Sequence, residues 1–166
     1  PGHILVPYPV ESLLSGVQRA LLPNQRLWYR RMVPDIRTQN QQAEGWRVLL
    51  HFGAVDMACE VWVNSAPVGG HQGGYLPFTL DITPALTGGE NELVVGVWDP
   101  TDTGLQQRGK QVLKPNGIWY TAVSGIWQTV WLEVVPPASL ASLRLTPDLE
   151  AQTLKVEVRL RGAVQI

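Results

Sequence analysis

The residues able to do chemistry are scattered along this 166-residue chain, and their spacing argues against a self-contained catalytic centre. Fourteen acidic residues are present. General acid–base cleavage needs two carboxylates facing each other across a bond, and most acids here flank strands or turns, as Asp35, Asp81, Glu90, Glu92 and Glu133 do. Asp99 and Asp102 are neighbours, but Asp99-Pro100-Thr101-Asp102 reads as a turn with a side-chain cap. His3, His51 and His71 lack the spacing of a metal-ligand pair, so neither a metal nor a cofactor is expected. No Gly-x-Ser-x-Gly elbow or phosphate-cradling glycine loop before a helix occurs. Cys59 is a lone cysteine in an alternating apolar stretch, which predicts a buried, inert thiol and excludes an internal disulfide. No catalytic residue is assigned.

The segment richest in chemistry-bearing side chains is 99–120. It breaks the surrounding alternation and gathers Asp, Gln, Arg, Lys and Gly. A loop of this length in a compact domain is either functional or a disordered insertion. Asp99, Arg108, Trp119 and Tyr120 are its candidate substrate-binding residues, with Lys110 beside them. A loop that orders only against a partner domain is the working expectation. Seven tryptophans leave two uses open, a tryptophan-rich β core or exposed rings that stack on sugar faces.

The elements that must position this loop are strands. Short apolar stretches recur between Gly, Pro, Asn and Asp, with almost no helical period. Strands are predicted at Leu27–Val33, around Trp46–Phe52, at Glu60–Val63, Pro77–Ile82, Glu92–Trp98 and Gly125–Val134. Asn64-Ser65-Ala66-Pro67 supplies a tight turn before Val68, and Gly69-Gly70 and Gly73-Gly74 around His71 read as a turn between strands. Val10–Leu22 has room for one helical turn, limited by Gly16 and Pro23. Pro136-Pro137 marks a boundary between a domain at 1–136 and the first strands of a second at 137–166. Two strands with one apolar face are unstable alone, so the chain is expected to be the front of a longer protein.

Composition narrows the partners. A net charge of −1 with pI near 6.4 gives no basic field for nucleic acid. The apolar runs are far shorter than the roughly 18 residues of a membrane span, and the N-terminus does not read as a signal peptide. Hydrophobic residues make up 45% of the chain, enough for a core.

Seven segments, in order, resemble the N-terminal sugar-binding domain of glycoside hydrolase family 2, which includes β-galactosidases, β-glucuronidases and β-mannosidases. They are Trp28-Tyr29-Arg30-Arg31, the run Val48 to Asp56, Ala58 to Asn64, Gly73 to Phe78, Asp81-Ile82-Thr83, Gly89 to Leu93 and Ser124 to Glu133. The resemblance implies an all-β fold: a galactose-binding-like jelly-roll β-sandwich, followed by the truncated start of an immunoglobulin-like β-sandwich. It also implies a downstream (β/α)8 barrel carrying two catalytic glutamates, and a β-glycoside carbohydrate as the substrate. Some members place an acidic sugar-binding residue just before the Ser-Gly-Ile motif. Counting back from Ser124, the matching position falls at or near Trp119, where Gly117-Ile118-Trp119-Tyr120 holds no carboxylate. An Asn contact found in some members after an early Val-Pro is replaced by Tyr8-Pro9 after Val6-Pro7. These departures imply an aromatic wall against the sugar, or a structural role without sugar contact. Three functions stay open: a non-catalytic front domain of a glycosidase, a free-standing carbohydrate-binding module, and a structural interaction domain.

Overall fold

The computed structural model describes residues 2–162. In chain order the strands are β1 (Leu27–Pro34), β2 (Arg47–Phe52), β3 (Val55–Asp56), β4 (Ala58–Val63), β5 (Ala66–Gln72), β6 (Phe78–Asp81), β7 (Glu90–Trp98), β8 (Gln111–Val112), β9 (Tyr120–Thr121), β10 (Gly125–Ile126), β11 (Val130–Val135), β12 (Ser139–Asp148) and β13 (Thr153–Arg161). One short α-helix, α1 (Gln39–Ala43), and two single 3-10 turns complete the described elements. The fold is all-β, as the alternation predicts. No helix among the described residues is long and apolar enough to cross a membrane.

The chain divides into two compact units, one built on residues up to Asp35 and on Leu49–Glu133, the other on Ile36–Val48 and residues from Val134 onward. The first unit is an antiparallel β-sandwich. One sheet has the order β1-β7-β4-β5 and the other β11-β2-β6. Successive strand residues point to opposite faces, so alternate positions meet inside. Tyr29, Val61, Val63, Val95 and Val97 of the first sheet and Leu50 and Phe52 of the second are buried. Phe52 stacks on Phe78 of the adjacent strand at 4.7 Å between centroids. The outward His51 behaves as a sheet-surface residue: its ring stacks on Trp131 at 4.8 Å and meets Thr79 Oγ1 at 2.8 Å and Glu133 Oε2 at 2.9 Å. Cys59 is buried, and burial pushes its thiol up to about 11, which keeps it protonated.

The β4–β5 hairpin turns on Asn64 and Ser65, both in the left-handed region at φ 50° and 68°. That is the two-residue primed geometry whose twist suits a hairpin. Asn64 also bridges elements: its Nδ2 donates to Ala85 O and Asn91 Oδ1, and its Oδ1 accepts from Glu92 N. Asn91 is fully buried, accepts from Thr87 N at 2.7 Å, and donates to Thr87 O and Gly89 O. One amide side chain thus satisfies the turn that feeds the central strand β7.

Two expectations change. Gly69 and Gly70 are strand residues of β5, not part of a turn. A Cβ at Gly70 would lie 2.5 Å from Cys59 O, so the small residue permits close pairing beside the irregularity at Val61/Trp62. The helix α1 was not foreseen. Its signal is the capping box Thr38-x-x-Gln41, in which each side chain accepts from the other residue's backbone N–H.

In the second unit β12 and β13 pair antiparallel from Ser139↔Arg161 to Asp148↔Thr153. Leu143↔Val158 and Leu145↔Val156 line one face, Arg144↔Glu157 and Thr146↔Lys155 the other. These Leu and Val side chains are all exposed. The Pro136-Pro137 step falls between β11 and β12.

Asn91→Ala leaves several buried partners unsatisfied and should cost about 3 kcal/mol in chemical denaturation. Ser65→Gly relieves a left-handed Cβ and should raise stability by about 1 kcal/mol in the same assay.

Candidate functional site

The long connection from β7 to β10 is anchored at its base by buried acid–donor pairs. Asp99 is 3% exposed. Its Oδ1 accepts from Thr101 N at 2.7 Å, closing the predicted Asx turn, and its Oδ2 accepts from Ser124 Oγ at 2.6 Å. Ser124 N donates in turn to Glu11 Oε2 at 3.0 Å, and Leu21 N to Glu11 Oε1 at 3.5 Å. Thr101 Oγ1 donates to Leu21 O at 3.3 Å. Both ends of the loop and the N-terminal segment therefore meet in one polar knot.

Asp56 and Tyr29 complete it. Tyr29 Oη accepts from Ile126 N at 3.1 Å, and burial pushes the phenol up to about 12. Asp56, 4% exposed, is pushed up to about 7, first by burial and then by the charges of Asp99 and Glu11. Burial also raises Glu11, against the pull of its hydrogen bonds to Ser124 and Leu21. Gly74 and Gly125 are required here: a Cβ on Gly74 would overlap the Asp56 carboxyl, and one on Gly125 (φ 81°) the Tyr29 hydroxyl.

Further along, the loop is tied to itself. Asp102 Oδ2 accepts from Leu113 N at 3.0 Å, Arg108 Nη1 donates to Asp102 O at 2.7 Å, and Gln106 Nε2 to Thr101 O at 3.0 Å. β8 and β9 pair in parallel, Gln111 with Tyr120 and Val112 with Thr121. Gln111 Oε1 accepts from Val123 N at 2.6 Å. The picture of a lid that orders only against a partner gives way to a loop fastened to its own sandwich.

Four candidate residues separate accordingly. Asp99 is sealed beneath the surface with both carboxylate oxygens engaged, so it offers no open face to a ligand. Arg108 is half-buried and spends a donor on the loop backbone. Trp119 is 42% exposed and Tyr120 65% exposed, Trp119 N donates to Asn116 O, and Lys110 Nζ lies 6.0 Å from the Tyr120 ring. Tyr75, half-exposed, meets the Trp127 ring edge-on at 6.3 Å. Trp127 Nε1 donates to Gly74 O at 2.8 Å. Glu11 and Ser124 went unnoticed in the sequence as partners, because nothing local links residues 113 positions apart.

An antiparallel sandwich whose longest loop is rooted in buried carboxylates and carries exposed aromatic rings belongs to the class of β-sandwich domains. The family follows from comparison: the chain belongs to the glycosyl hydrolases family 2, sugar binding domain, whose model matches residues 4–136. It is 31% identical over 119 residues to a putative beta-glucuronidase of Formosa agariphila, covering 72% of this chain and 13% of that protein. It is also 31% identical over 123 residues to a beta-galactosidase of Thermoanaerobacter pseudethanolicus, covering 73% of this chain and 15% of that protein. A putative beta-galactosidase structure from Bacteroides fragilis superposes with TM-score 0.60 at 26% identity, covering 83% of this chain and 20% of the other. The chain thus spans a small fraction of the length of the relatives it matches.

Folding raises the Asp56 pKa from 3.8 to about 7, so the stability carried by the neutral acid is full below pH 3.8 and is lost as pH rises through 7. Asp56→Asn keeps the shape and removes the charge. Its melting temperature relative to the native chain should climb between pH 5 and pH 8, by the equivalent of about 3 kcal/mol. Parallel curves for the two proteins would refute the assignment.

Proposed function

We propose that this chain is the non-catalytic front domain of a family 2 glycosidase, serving β-linked pyranoside substrates cleaved by a downstream barrel. The observation that carries the proposal is the state of the acids in the first unit. Glu11, Asp56 and Asp99 face inward, and Glu11 and Asp99 serve as hydrogen-bond acceptors for the loop and the N-terminal segment. The loop they anchor carries Trp119 and Tyr120 outward. The family match over residues 4–136 and relatives named as beta-glucuronidases and beta-galactosidases support a carbohydrate setting.

In this role Trp119 and Tyr120 form an apolar wall for the C–H face of a sugar ring, while hydroxyls are met from elsewhere. Lys110, beside Tyr120, is the loop cation best placed for a carboxylate-bearing sugar. Asp99 and Arg108 act as positioning residues that hold the wall. The downstream immunoglobulin-like and barrel domains are the proposed partners.

Two measurements test this. The chain alone should release no 4-nitrophenol from 4-nitrophenyl β-glucuronide or β-galactoside; steady turnover would defeat the proposal. In the longer protein that carries this domain, Trp119→Ala should raise KM for an aryl β-glycoside about tenfold and change kcat by less than about twofold, the mark of lost substrate binding. An unchanged KM would take the loop away from the substrate.

A further inference from the structure

The outer face of the β1-β7-β4-β5 sheet holds an aromatic arrangement that the loop does not account for. Register places Trp28, Gly96, Glu60 and Gly70 in one row across the four strands, and Arg30, Val94, Trp62 and Pro67 in the next. Trp28 lies over Gly96, where a Cβ would come within 2.7 Å of the indole. The ring therefore rests flat on the sheet and turns its other face outward, 57% exposed. Trp62 stands beside it, with ring centroids 5.7 Å apart and planes tilted by 35°.

The surroundings are shallow, with charged side chains at the edge. Glu60, Trp62, Pro67, Gly69 and Gly70 line an open depression next to the rings, and Gly70, in the row of Glu60, leaves its floor without a side chain. Glu60 is exposed at its edge, and Arg30 pairs with Glu92 on the same face. A protein-docking core is depleted of charge and broadly apolar. This face instead sets two aromatic planes among hydrogen-bonding groups, the pattern that suits a ligand with apolar faces and hydroxyl-bearing edges. A pyranose is such a ligand, and the ring spacing is comparable to the length of one sugar residue.

From this geometry we infer that Trp28 and Trp62, with Glu60, form a second carbohydrate-binding surface that takes consecutive residues of a β-linked oligosaccharide, distinct from the Trp119 loop. One indole stacks on each of two neighbouring rings, and the Glu60 carboxylate accepts from a hydroxyl over the glycine floor. Exposed Trp28 then has a use beyond shielding Gly96. The surface depends on the proposed carbohydrate setting, but not on Trp119 touching substrate.

Tryptophan indole N–H signals in heteronuclear NMR distinguish the two locations. Cellotetraose, β-1,4-galactotetraose and β-1,4-mannotetraose are titrated separately into this chain. At least one should shift the Trp28 and Trp62 signals saturably, with affinity weakened about tenfold in Trp62→Leu and in Glu60→Gln, and unchanged in Trp119→Ala. Trp62→Leu keeps an apolar side chain on the strand, and Glu60→Gln leaves both rings in place should the former unfold. Shifts confined to Trp119 would overturn this second surface while supporting the loop. Silence from Trp28 and Trp62 with all three sugars would overturn it, as would self-association of the chain through this face in sedimentation.

Discussion

Everything at the loop end of the sandwich depends on keeping three carboxyl groups out of water without leaving them uncompensated. Burying an ionised carboxylate is costly unless donors meet it. Asp99 and Glu11 are met by Thr101 N, Ser124 Oγ and N, and Leu21 N. Asp56, whose neighbours are these two acids, is pushed toward its neutral form instead. The division has a structural product. Because Ser124 bonds both Asp99 and Glu11, the start and end of a long loop and the N-terminal segment are fastened at a single place.

Rigidity at the base explains how an irregular segment can present aromatic rings. The loop has little regular pairing, only two residue pairs between β8 and β9. Four of its backbone groups are satisfied by its own polar side chains, Asp102, Gln106, Arg108 and Gln111. The composition that made 99–120 look like a ligand-binding region is thus largely consumed in holding the loop. Trp119 and Tyr120 remain at the surface, together with Lys110 and Lys114. Under the proposed function, this loop would contribute stacking from its rings and a cation from Lys110, with the other hydrogen bonds coming from elsewhere.

The tryptophans divide along similar lines. Trp98 and Trp127 spend their indole N–H on backbone carbonyls, of Pro23 and Gly74, and serve the fold. Trp28, Trp119 and Trp131 keep much of their surface exposed, the last stacked on His51. A count of seven could not separate these uses, since each strand tryptophan occupies an alternating position whichever face it takes. Pairing register decided which rings became neighbours.

Strand alternation, the Asn64-Ser65 hairpin, the buried thiol of Cys59 and the family motifs were all legible in the chain, because each rests on residues a few positions apart. The Asx turn at Asp99 was legible for the same reason. Tertiary structure alone decided that this aspartate would be sealed against Ser124 and Glu11 rather than exposed to a ligand. It also decided that Gly69 and Gly70 would pair within a strand. A carboxylate's environment is set by atoms brought from distant positions, and a glycine's role by what would strike its missing Cβ. Neither quantity is carried by neighbours in sequence, so local patterns determined the sandwich and folding determined its chemistry.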